Sequence, residues 1–271
     1  MSIIQIKSLL QKHGINPNKL LGQNFLEDAS LFPKLSEYAS ISPDDIVLDI
    51  GAGFGFLTSF LAERCKSVIA VEKDPRVFHI LQDQVTNLSN VQTVKGDILK
   101  IEKTVANKVV SVPPYYLSSN LVTWLIDRFF DCSVLILQKE FALKLVASPN
   151  TGDYSWITVI TALHVKTELF DLVPNWMFYP PPEVDSIILR LTPWSKPYFK
   201  VKDEPYFRRL VRWVFNQRNK KIQNALVPFL KINKNLNKVG ARNILEELHL
   251  PDKRVAELSP EELGSIADAL I

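Results

Sequence analysis

A glycine turn directly after an apolar run is the first segment whose residues could do chemistry. Residues 46–50 read Ile-Val-Leu-Asp-Ile, and Gly51, Gly53 and Gly55 follow at alternate positions before a helix-like stretch. Glycines at such a place let the backbone pass close to a ligand. A dinucleotide-binding fingerprint, Gly-x-Gly-x-x-Gly, would need its third glycine at position 56, where this chain has phenylalanine. The turn therefore predicts a ligand site that does not fit a dinucleotide.

Three acidic residues stand at the ends of three successive predicted strands. Asp49 lies at the end of the first run, Glu72 ends the second run twenty-one residues beyond Gly51, and Asp97 follows the third. A side chain at the position of Glu72 can accept hydrogen bonds from both hydroxyls of a ribose, and Asp97 can accept one from an adenine amino group. Each acid alone would more often be a solvated loop end. Because the ends of parallel strands meet at one sheet edge, the three together predict a nucleoside site.

The glycine turn resembles a known cofactor loop. Asp-x-Gly-x-Gly-x-Gly, here Asp49 to Gly55, is similar to the loop of Rossmann-like methyltransferases that bind S-adenosylmethionine (SAM). SAM has no pyrophosphate, and it carries a cationic ammonium group that can donate a hydrogen bond to Asp49. The resemblance implies SAM as the cofactor, held by Asp49, Gly51, Gly53, Glu72 and Asp97.

The run Val109–Val112 ends in Pro113-Pro114-Tyr115. This segment resembles the Asn/Asp-Pro-Pro-Tyr and Asn-Leu-Pro-Tyr signatures of enzymes that methylate exocyclic amines of bases. An isolated Pro-Pro-Tyr would more simply be a proline turn at an edge strand. After a SAM site, the segment predicts a reaction site in which Tyr115 stacks on an adenine swung out of its helix. Phe178 is expected to form the opposite wall, with plain core packing as the alternative.

Further segments resemble one family, the small-subunit ribosomal RNA adenine dimethyltransferases, or dimethyladenosine transferases. Residues 19–26 are similar to the family's N-terminal segment, which covers the cofactor, and the resemblance implies that Gln23, Asn24 and Leu26 bind SAM. Other matching stretches are residues 138–142, 152–154, 178–186 and 215–221. The last of these is similar to the family's basic C-terminal helix. The resemblance implies dimethylation of the N6 amines of two adjacent adenosines in the 3′-terminal hairpin of small-subunit rRNA.

Position 112 departs from the family's pattern. Where this chain has Val112, the family has an asparagine whose side-chain oxygen accepts one hydrogen of the target amine, and the carbonyl at the position of Pro113 accepts the other. Val112 accepts nothing. Ser111, the nearest hydroxyl and a candidate cofactor contact, reaches the pocket only if the strand end is bulged or twisted, because adjacent strand residues point to opposite faces.

Three functions therefore stay open at this stage. The first is an active SAM-dependent dimethyltransferase, with Val112, Pro113, Pro114, Tyr115 and Phe178 around the reacting amine. The second is a ribosome-assembly factor that keeps the fold and the RNA surface but has lost turnover through Val112. The third is a methyltransferase of large-subunit rRNA, from a related resistance-type family.

The elements that must position these residues alternate along the chain. Short apolar runs take turns with helix-like stretches, and this pattern predicts successive βα units and a Rossmann-like, mostly parallel sheet of seven strands. The predicted strands and helices are Ile46–Ile50, Leu57–Arg64, Ser67–Val71, Pro75–Val85, Val91–Lys95, Val109–Val112, Asn120–Phe130 and Ser133–Gln138. Residues 1–193 are expected to form this methyltransferase domain.

A basic region follows Pro193. Thirteen Lys or Arg residues but only two acids lie between Pro193 and Asn243, and apolar residues recur there at helical spacing. Residues 194–271 are therefore expected to form a small helical RNA-binding domain, in which Arg218, Lys220 and Lys221 bind phosphates of the RNA. The expected partners are small-subunit rRNA and the assembling subunit of pre-30S or pre-40S type.

Composition excludes several classes of protein. The chain has 271 residues, 46% apolar and 23% charged, with 9 Gly, 17 Pro and 2 Cys, which fits a globular protein and neither a collagen-like chain nor a disulfide framework. Cys65 and Cys132 are expected to be reduced core thiols. No apolar run is long enough for a membrane span, and the first residues lack a signal peptide's apolar centre. We expect a cytoplasmic monomer without a metal.

Overall fold

The computed structural model describes residues 3–18, 21–102, 104–128 and 130–271. These residues form two compact units. The first comprises the described residues up to Ala142 together with Lys166–Pro193, and the second comprises Leu143–Val165 and Trp194–Ile271. No helix among the described residues is long and apolar enough to cross a membrane.

A seven-stranded sheet forms the centre of the first unit. Its strands are β2 (Ile46–Ile50), β3 (Ser67–Glu72), β4 (Val91–Lys95), β5 (Lys108–Ser111), β6 (Cys132–Gln138), β7 (Val165–Val173) and β9 (Ser186–Pro193), in the order β4-β3-β2-β5-β6-β9-β7. The first five strands of that order pair in parallel, and β9 pairs antiparallel with β6. The mostly parallel seven-stranded sheet predicted from the βα alternation is confirmed.

Helices flank the strands of the first unit. They are α1 (Ile3–Lys12), α2 (Leu31–Tyr38), α3 (Phe56–Ala62), α4 (Pro75–Gln84) and α5 (Ser118–Ile126), while α6 (Lys139–Leu145) begins in the first unit and ends in the second. Strands β2 and β4 have the predicted bounds. The helix predicted at Asn120–Phe130 begins earlier, at Ser118, and ends at Ile126. Strand β5 ends at Ser111, paired with Leu135, so that Val112 lies just beyond the ladder rather than in it.

Buried apolar side chains fill the first unit. Val47, Leu48, Val68, Val109 and Val134 on the central strands are all less than 2% exposed. Such strands, covered on both faces, read as largely continuous apolar runs, and that is why the sequence predicts each of them to within one residue at either end. Cys65 and Cys132 are both buried and unbridged, as predicted.

The second unit is helical. Its helices are α7 (Trp156–His164), α8 (Glu204–Phe215), α9 (Ile222–Asn233), α10 (Lys238–Glu247) and α11 (Pro260–Ala269). The buried face of α8 contains Phe207, Leu210, Val211 and Val214, which are the residues whose spacing predicted it. Asp203 caps the N-terminus of α8 by accepting a hydrogen bond from a backbone N–H at 2.8 Å.

The division between the units differs from the predicted boundary at residue 193. Residues 143–165 group with the C-terminal helices because α7 packs against α8 and α11. Two hydrogen bonds fix this segment: the Tyr154 hydroxyl donates to the Leu258 carbonyl at 2.8 Å, and the Asn150 N–H donates to the Ala256 carbonyl at 2.6 Å. Sequence alone gives no local sign of such long-range packing.

Candidate active site

The glycine turn after β2 packs directly against the Pro-Pro-Tyr segment. Gly51 and Gly53 have φ angles of 72° and 57°, in the left-handed region. A Cβ atom at position 51 would lie 2.8 Å from Cδ of Pro114. The absence of side chains in the turn therefore lets the predicted cofactor loop and the predicted reaction segment meet.

Asp49 is 1% exposed and faces a cavity at the end of β2. Its Oδ2 accepts a hydrogen bond from the Thr58 hydroxyl at 2.7 Å. Burial raises the pKa of the Asp49 carboxyl to about 7, the charge of Glu72 adds to the rise, and the bond from Thr58 opposes it. A buried acid of this kind gains most from a cationic partner, which would restore its charged form.

Glu72 ends β3 and organises the backbone around it. Its Oε2 accepts a hydrogen bond from the Gly53 N–H at 3.0 Å, and its Oε1 accepts from the N–H groups of Lys73 and Asp74, both at 2.8 Å. Burial raises the pKa of Glu72, although these three N–H groups oppose the rise. The carboxylate thus binds the glycine turn to the end of the neighbouring strand.

Asp97 occupies a different position from the other two acids. It forms an ion pair with the Lys73 ammonium at 3.0 Å and accepts a hydrogen bond from the Leu99 N–H at 3.0 Å. Burial alone would raise the pKa of Asp97, but the hydrogen bonds from Lys73 and Leu99 outweigh it and lower the pKa. Asp97 lines neither of the cavities described below, although its partner Lys73 lines the first of them.

The segment before α2 covers the site. Gln23 donates from Nε2 to Oδ2 of Asp74 at 2.8 Å, and its own side-chain oxygen accepts from the Asn18 N–H at 2.8 Å. Leu26 lies in the two-residue strand β1 (Phe25–Leu26), which pairs with β8 (Phe178–Tyr179). Lys19 and Leu20, which begin the matching stretch, lie outside the described residues.

The end of β5 places Ser111 away from the predicted pocket. The Ser111 hydroxyl is fully buried; it donates to the Ile50 carbonyl at 2.5 Å and accepts from the Ile50 N–H at 3.1 Å. Because both of these bonds tie β5 to β2, the hydroxyl is committed to the sheet. Ser111 therefore does not replace the oxygen that Val112 lacks.

Tyr115 is held on two sides. Its hydroxyl forms a hydrogen bond of 2.6 Å with the Ser186 hydroxyl, and its ring meets the Phe178 ring edge to face, with centroids 6.2 Å apart. Phe178 is 2% exposed and belongs to the hydrophobic core. Phe178 lines neither of the two cavities described below, so its position favours the alternative of core packing over the predicted wall role.

Two cavities meet at this point of the first unit, and they share Asn24, Phe25, Gly51, Gly53 and Val112. The first cavity is also lined by Leu21, Gly22, Gln23, Glu72, Lys73, Asp74, Pro113, Pro114, Tyr115 and Tyr116. The second is also lined by Leu26, Phe32, Asp49, Ala52, Phe54, Phe56 and Leu57. The structure thus brings most of the predicted residues together around one site and leaves out Ser111, Asp97 and Phe178.

Three contributors to the site were not predicted. Asp74 lines the first cavity and binds Gln23 and Arg76; its hydrogen bonds with Arg76 are the largest cause that lowers its pKa to about 2. The dipeptide Asp74-Pro75 is a helix-start signal that could have identified it. Thr58 acts through Asp49, nine residues earlier, and Ser186, the last residue of the family-like stretch 178–186, acts through Tyr115, seventy-one residues earlier.

The basic segment of the second unit forms a turn rather than the expected helix. Residues 216–220 connect α8 to α9, because α8 ends at Phe215 and turn hydrogen bonds follow. The Arg218 guanidinium donates to the carbonyls of Thr151 and Gly152 at 2.6 and 2.7 Å. Lys220 and Lys221 are exposed, whereas Arg218 is bound to its own unit.

Most of the other positive charges of this region are exposed. Eleven of the thirteen Lys and Arg residues between Pro193 and Asn243 are exposed, the exceptions being Arg208 and Arg218. Among the residues that the structure describes, no group of three or more His, Cys, Asp or Glu side chains could hold a metal ion.

Comparisons with known proteins give matches over most of the chain. A family model described as ribosomal RNA adenine dimethylase matches residues 14–263. The chain is 38% identical to the probable ribosomal RNA small subunit methyltransferase A of Methanosarcina barkeri, over 98% of this chain and 92% of that protein. It is 37% identical to the ribosomal RNA small subunit methyltransferase A of Moorella thermoacetica, over 81% and 82%.

Two solved structures are similar over most of their length. One is a dimethyladenosine transferase from Plasmodium falciparum, with a TM-score of 0.75, 27% identity and coverage of 88% of this chain and 94% of that one. The other is the 23S rRNA methyltransferase ErmE, with a TM-score of 0.66, 28% identity and coverage of 91% and 99%.

Proposed function

Because the chain belongs to the ribosomal RNA adenine dimethylase family, we propose that it transfers methyl groups from SAM to the N6 amines of two adjacent adenosines in the 3′-terminal hairpin of small-subunit rRNA. Its fold is that of the Rossmann-like SAM-dependent methyltransferases, and it is an rRNA methyltransferase. The observation that carries the finer proposal is the packing of Pro114 against Gly51, which joins the cofactor loop to the Pro-Pro-Tyr segment.

The residues present fit SAM. The buried Asp49 carboxylate is placed to accept the ammonium of the methionine part, and Glu72, at the end of the neighbouring strand, is placed to accept the ribose hydroxyls. Asn24 lines both cavities, and Gln23 lines the first. Asp97 accepts one hydrogen bond on each oxygen, from Lys73 and from Leu99, and each oxygen has a further lone pair for an adenine amino group.

Positioning supplies most of the chemistry. Bound SAM provides a methyl group on a positively charged sulfur, which is already activated for transfer. The amine nitrogen forms a bond to the methyl carbon as the carbon–sulfur bond breaks, and the amine then loses a proton to water. Tyr115 stacks on the flipped adenine, and the Pro113 carbonyl accepts an amine hydrogen. Holding these groups in line lowers the barrier without a strong base.

The substrate is proposed to be recognised by the exposed positive charges of the second unit. Phosphates bind such charges without regard to sequence, whereas the Pro-Pro-Tyr segment selects the reacting base. The assembling small subunit as partner, a monomeric state and action in the cytoplasm belong to the same proposal.

The deciding experiment is mass spectrometry of ribosomal RNA incubated with this protein and labelled SAM. We expect N6,N6-dimethyladenosine in the 3′-terminal hairpin of small-subunit rRNA. Binding of SAM and RNA without any methylated adenosine would instead make the chain an assembly factor. Label found only in large-subunit rRNA would instead make the chain a methyltransferase of large-subunit rRNA.

We expect the affinity for SAM to fall as the pH falls below 7. Asp49 must be ionised to accept the ammonium, and its pKa is raised to about 7, so protonation competes with binding below that value. The apparent affinity should fall by about tenfold per pH unit between pH 6 and pH 5. Calorimetry over this range tests the prediction, with Asp49→Asn as the matched control, since this variant has no carboxyl to titrate there. An equal pH dependence in both proteins would contradict it.

The same pKa gives the direction of a stability change without the ligand. Because the folded-state pKa of Asp49 lies above its unfolded value near 3.8, ionisation is costlier in the folded protein. Stability is therefore lost as the pH rises from about 4 to 7.

RNA binding is expected to depend steeply on salt. Replacing Lys220 and Lys221 together by glutamine should lower the slope of log K against log salt by about one to two units, because two phosphate contacts are lost. Arg218 is left in place because it binds backbone carbonyls of its own unit. The matched control is Lys12→Gln with Lys66→Gln, two exposed lysines of the first unit. Equal slopes for the two double variants would place the RNA surface elsewhere.

A further inference from the structure

Val112 stands where the two cavities of the active site meet. Val112 lines both cavities, and it packs as a partly buried apolar residue against the hydrophobic core of the first unit. The inference drawn from it rests on the proposed function, which places the target amine beside the segment from Val112 to Tyr115. In that position an apolar side chain faces the amine, and it can neither donate nor accept a hydrogen bond.

The hydroxyl closest in sequence does not compensate. Ser111 uses its hydroxyl to donate to the Ile50 carbonyl and to accept from the Ile50 N–H. The Tyr115 hydroxyl is likewise bonded to the Ser186 hydroxyl. An amine hydrogen that points toward Val112 therefore finds no oxygen of either side chain.

One of the three carbonyls of the Pro-Pro-Tyr segment accepts no hydrogen bond from the described residues. The Pro114 carbonyl accepts from the N–H of Leu117 at 3.0 Å, and the Tyr115 carbonyl accepts from the Ser118 hydroxyl at 2.7 Å. No hydrogen bond from the described residues reaches the Pro113 carbonyl. The segment thus offers one carbonyl to the amine on one side and the methyl groups of Val112 on the other.

This pairing suits a secondary amine better than a primary one. An unmethylated adenine amine has two N–H groups, so that one would be buried against Val112 without a partner, which disfavours binding by about tenfold. An amine methylated once has a single N–H for the Pro113 carbonyl. Its methyl group would pack against Val112, which favours binding by about fourfold.

We propose that Val112 makes the site selective for the N6-monomethyl amine. Each transfer forms one nitrogen–carbon bond, breaks one carbon–sulfur bond of SAM and releases one amine proton to water, but the second transfer has the better-bound substrate. The singly methylated intermediate therefore does not accumulate. RNA whose adenosines already carry one methyl group is a substrate of this chain in its own right.

The test compares two synthetic hairpins that differ only in N6-methyladenosine at the target positions. Binding is measured with S-adenosylhomocysteine present, and single-turnover methylation is measured with SAM. For the wild type we expect the methylated hairpin to bind at least fourfold more tightly and to react at least as fast. Val112→Asn, which adds an acceptor, should change the ratio of the two affinities by tenfold or more, so that the unmethylated hairpin binds more tightly. Val112→Ala, which adds none, should keep the direction of the preference and reduce its size. Thermal melting verifies that each variant folds.

The outcomes separate this inference from the proposed function. Tighter binding of the unmethylated hairpin by the wild type would overturn the role of Val112. Loss of that preference in Asn24→Ala would then assign the second acceptor to Asn24, which lines the same two cavities. If the wild type methylates neither hairpin, the proposed function fails, while the binding preference still decides the inference.

Discussion

Tyr115→Ala is expected to reduce methylation of the target RNA by at least a thousandfold. Stacking of a base on an aromatic ring contributes about 1–3 kcal/mol, and a misplaced reacting group costs about a further hundredfold in rate. The tyrosine ring is already held before the substrate arrives, by the Phe178 ring on its edge and by Ser186 at its hydroxyl. Single-turnover kinetics with saturating SAM measure the effect.

Tyr115→Phe is the matched control. It keeps the ring and removes only the hydrogen bond to Ser186, so the methylation rate should stay within about tenfold of the wild type. Thermal unfolding should show a loss of about 1–3 kcal/mol, because the buried Ser186 hydroxyl then lacks this partner. If Tyr115→Ala remains active while it still folds and binds SAM, Tyr115 does not stack on the base.

Gly51→Ala is expected to lower the affinity for SAM at least tenfold and the methylation rate at least a hundredfold. The left-handed backbone at this position, with φ of 72°, costs a non-glycine residue about 1–2 kcal/mol. The added Cβ would also lie 2.8 Å from Cδ of Pro114, so that the glycine turn or the Pro-Pro-Tyr segment must move. Either movement changes the position of Tyr115 relative to the bound cofactor. Calorimetry and single-turnover kinetics measure the two effects.

Gly96→Ala provides the control for a glycine near the same sheet edge. A Cβ atom at position 96 would meet nothing within 4 Å, and the backbone there is not left-handed. We expect stability to change by less than about 0.5 kcal/mol and SAM binding to stay within threefold. Comparable losses in both variants would show that the contact between Gly51 and Pro114 does not join the two segments.

The sequence was most informative where structure depends on local order. Strand β2 has the predicted bounds because its residues are almost all buried and apolar, and β4 has them because its two valines stand out between polar residues on either side. The glycine turn and the acids Asp49 and Glu72 could be placed at one sheet edge because parallel strands end on the same side. The family resemblance depended on the same short motifs, and the family match confirms it.

Other features were decided by residues far apart in the chain. Sequence spacing left open whether Ser111 could serve the reaction; its hydroxyl is used by Ile50, sixty-one positions earlier. Arg218 was expected on RNA, but it binds carbonyls sixty-six and sixty-seven positions away. Phe178 was expected at the site surface, but it is buried in the core, where its ring packs against the ring of Tyr115.

Motifs and strand patterns, which depend on neighbours along the chain, therefore determined the fold class and the cofactor, and they predicted several of the residues that line the two cavities. Which polar groups remain available for chemistry was settled only by the tertiary structure. A hydroxyl or guanidinium is used by whichever buried carbonyl the folded chain brings within about 3 Å of it, because an unpaired buried polar group is costly. Such a pairing partner is set by packing and leaves no trace in the local sequence.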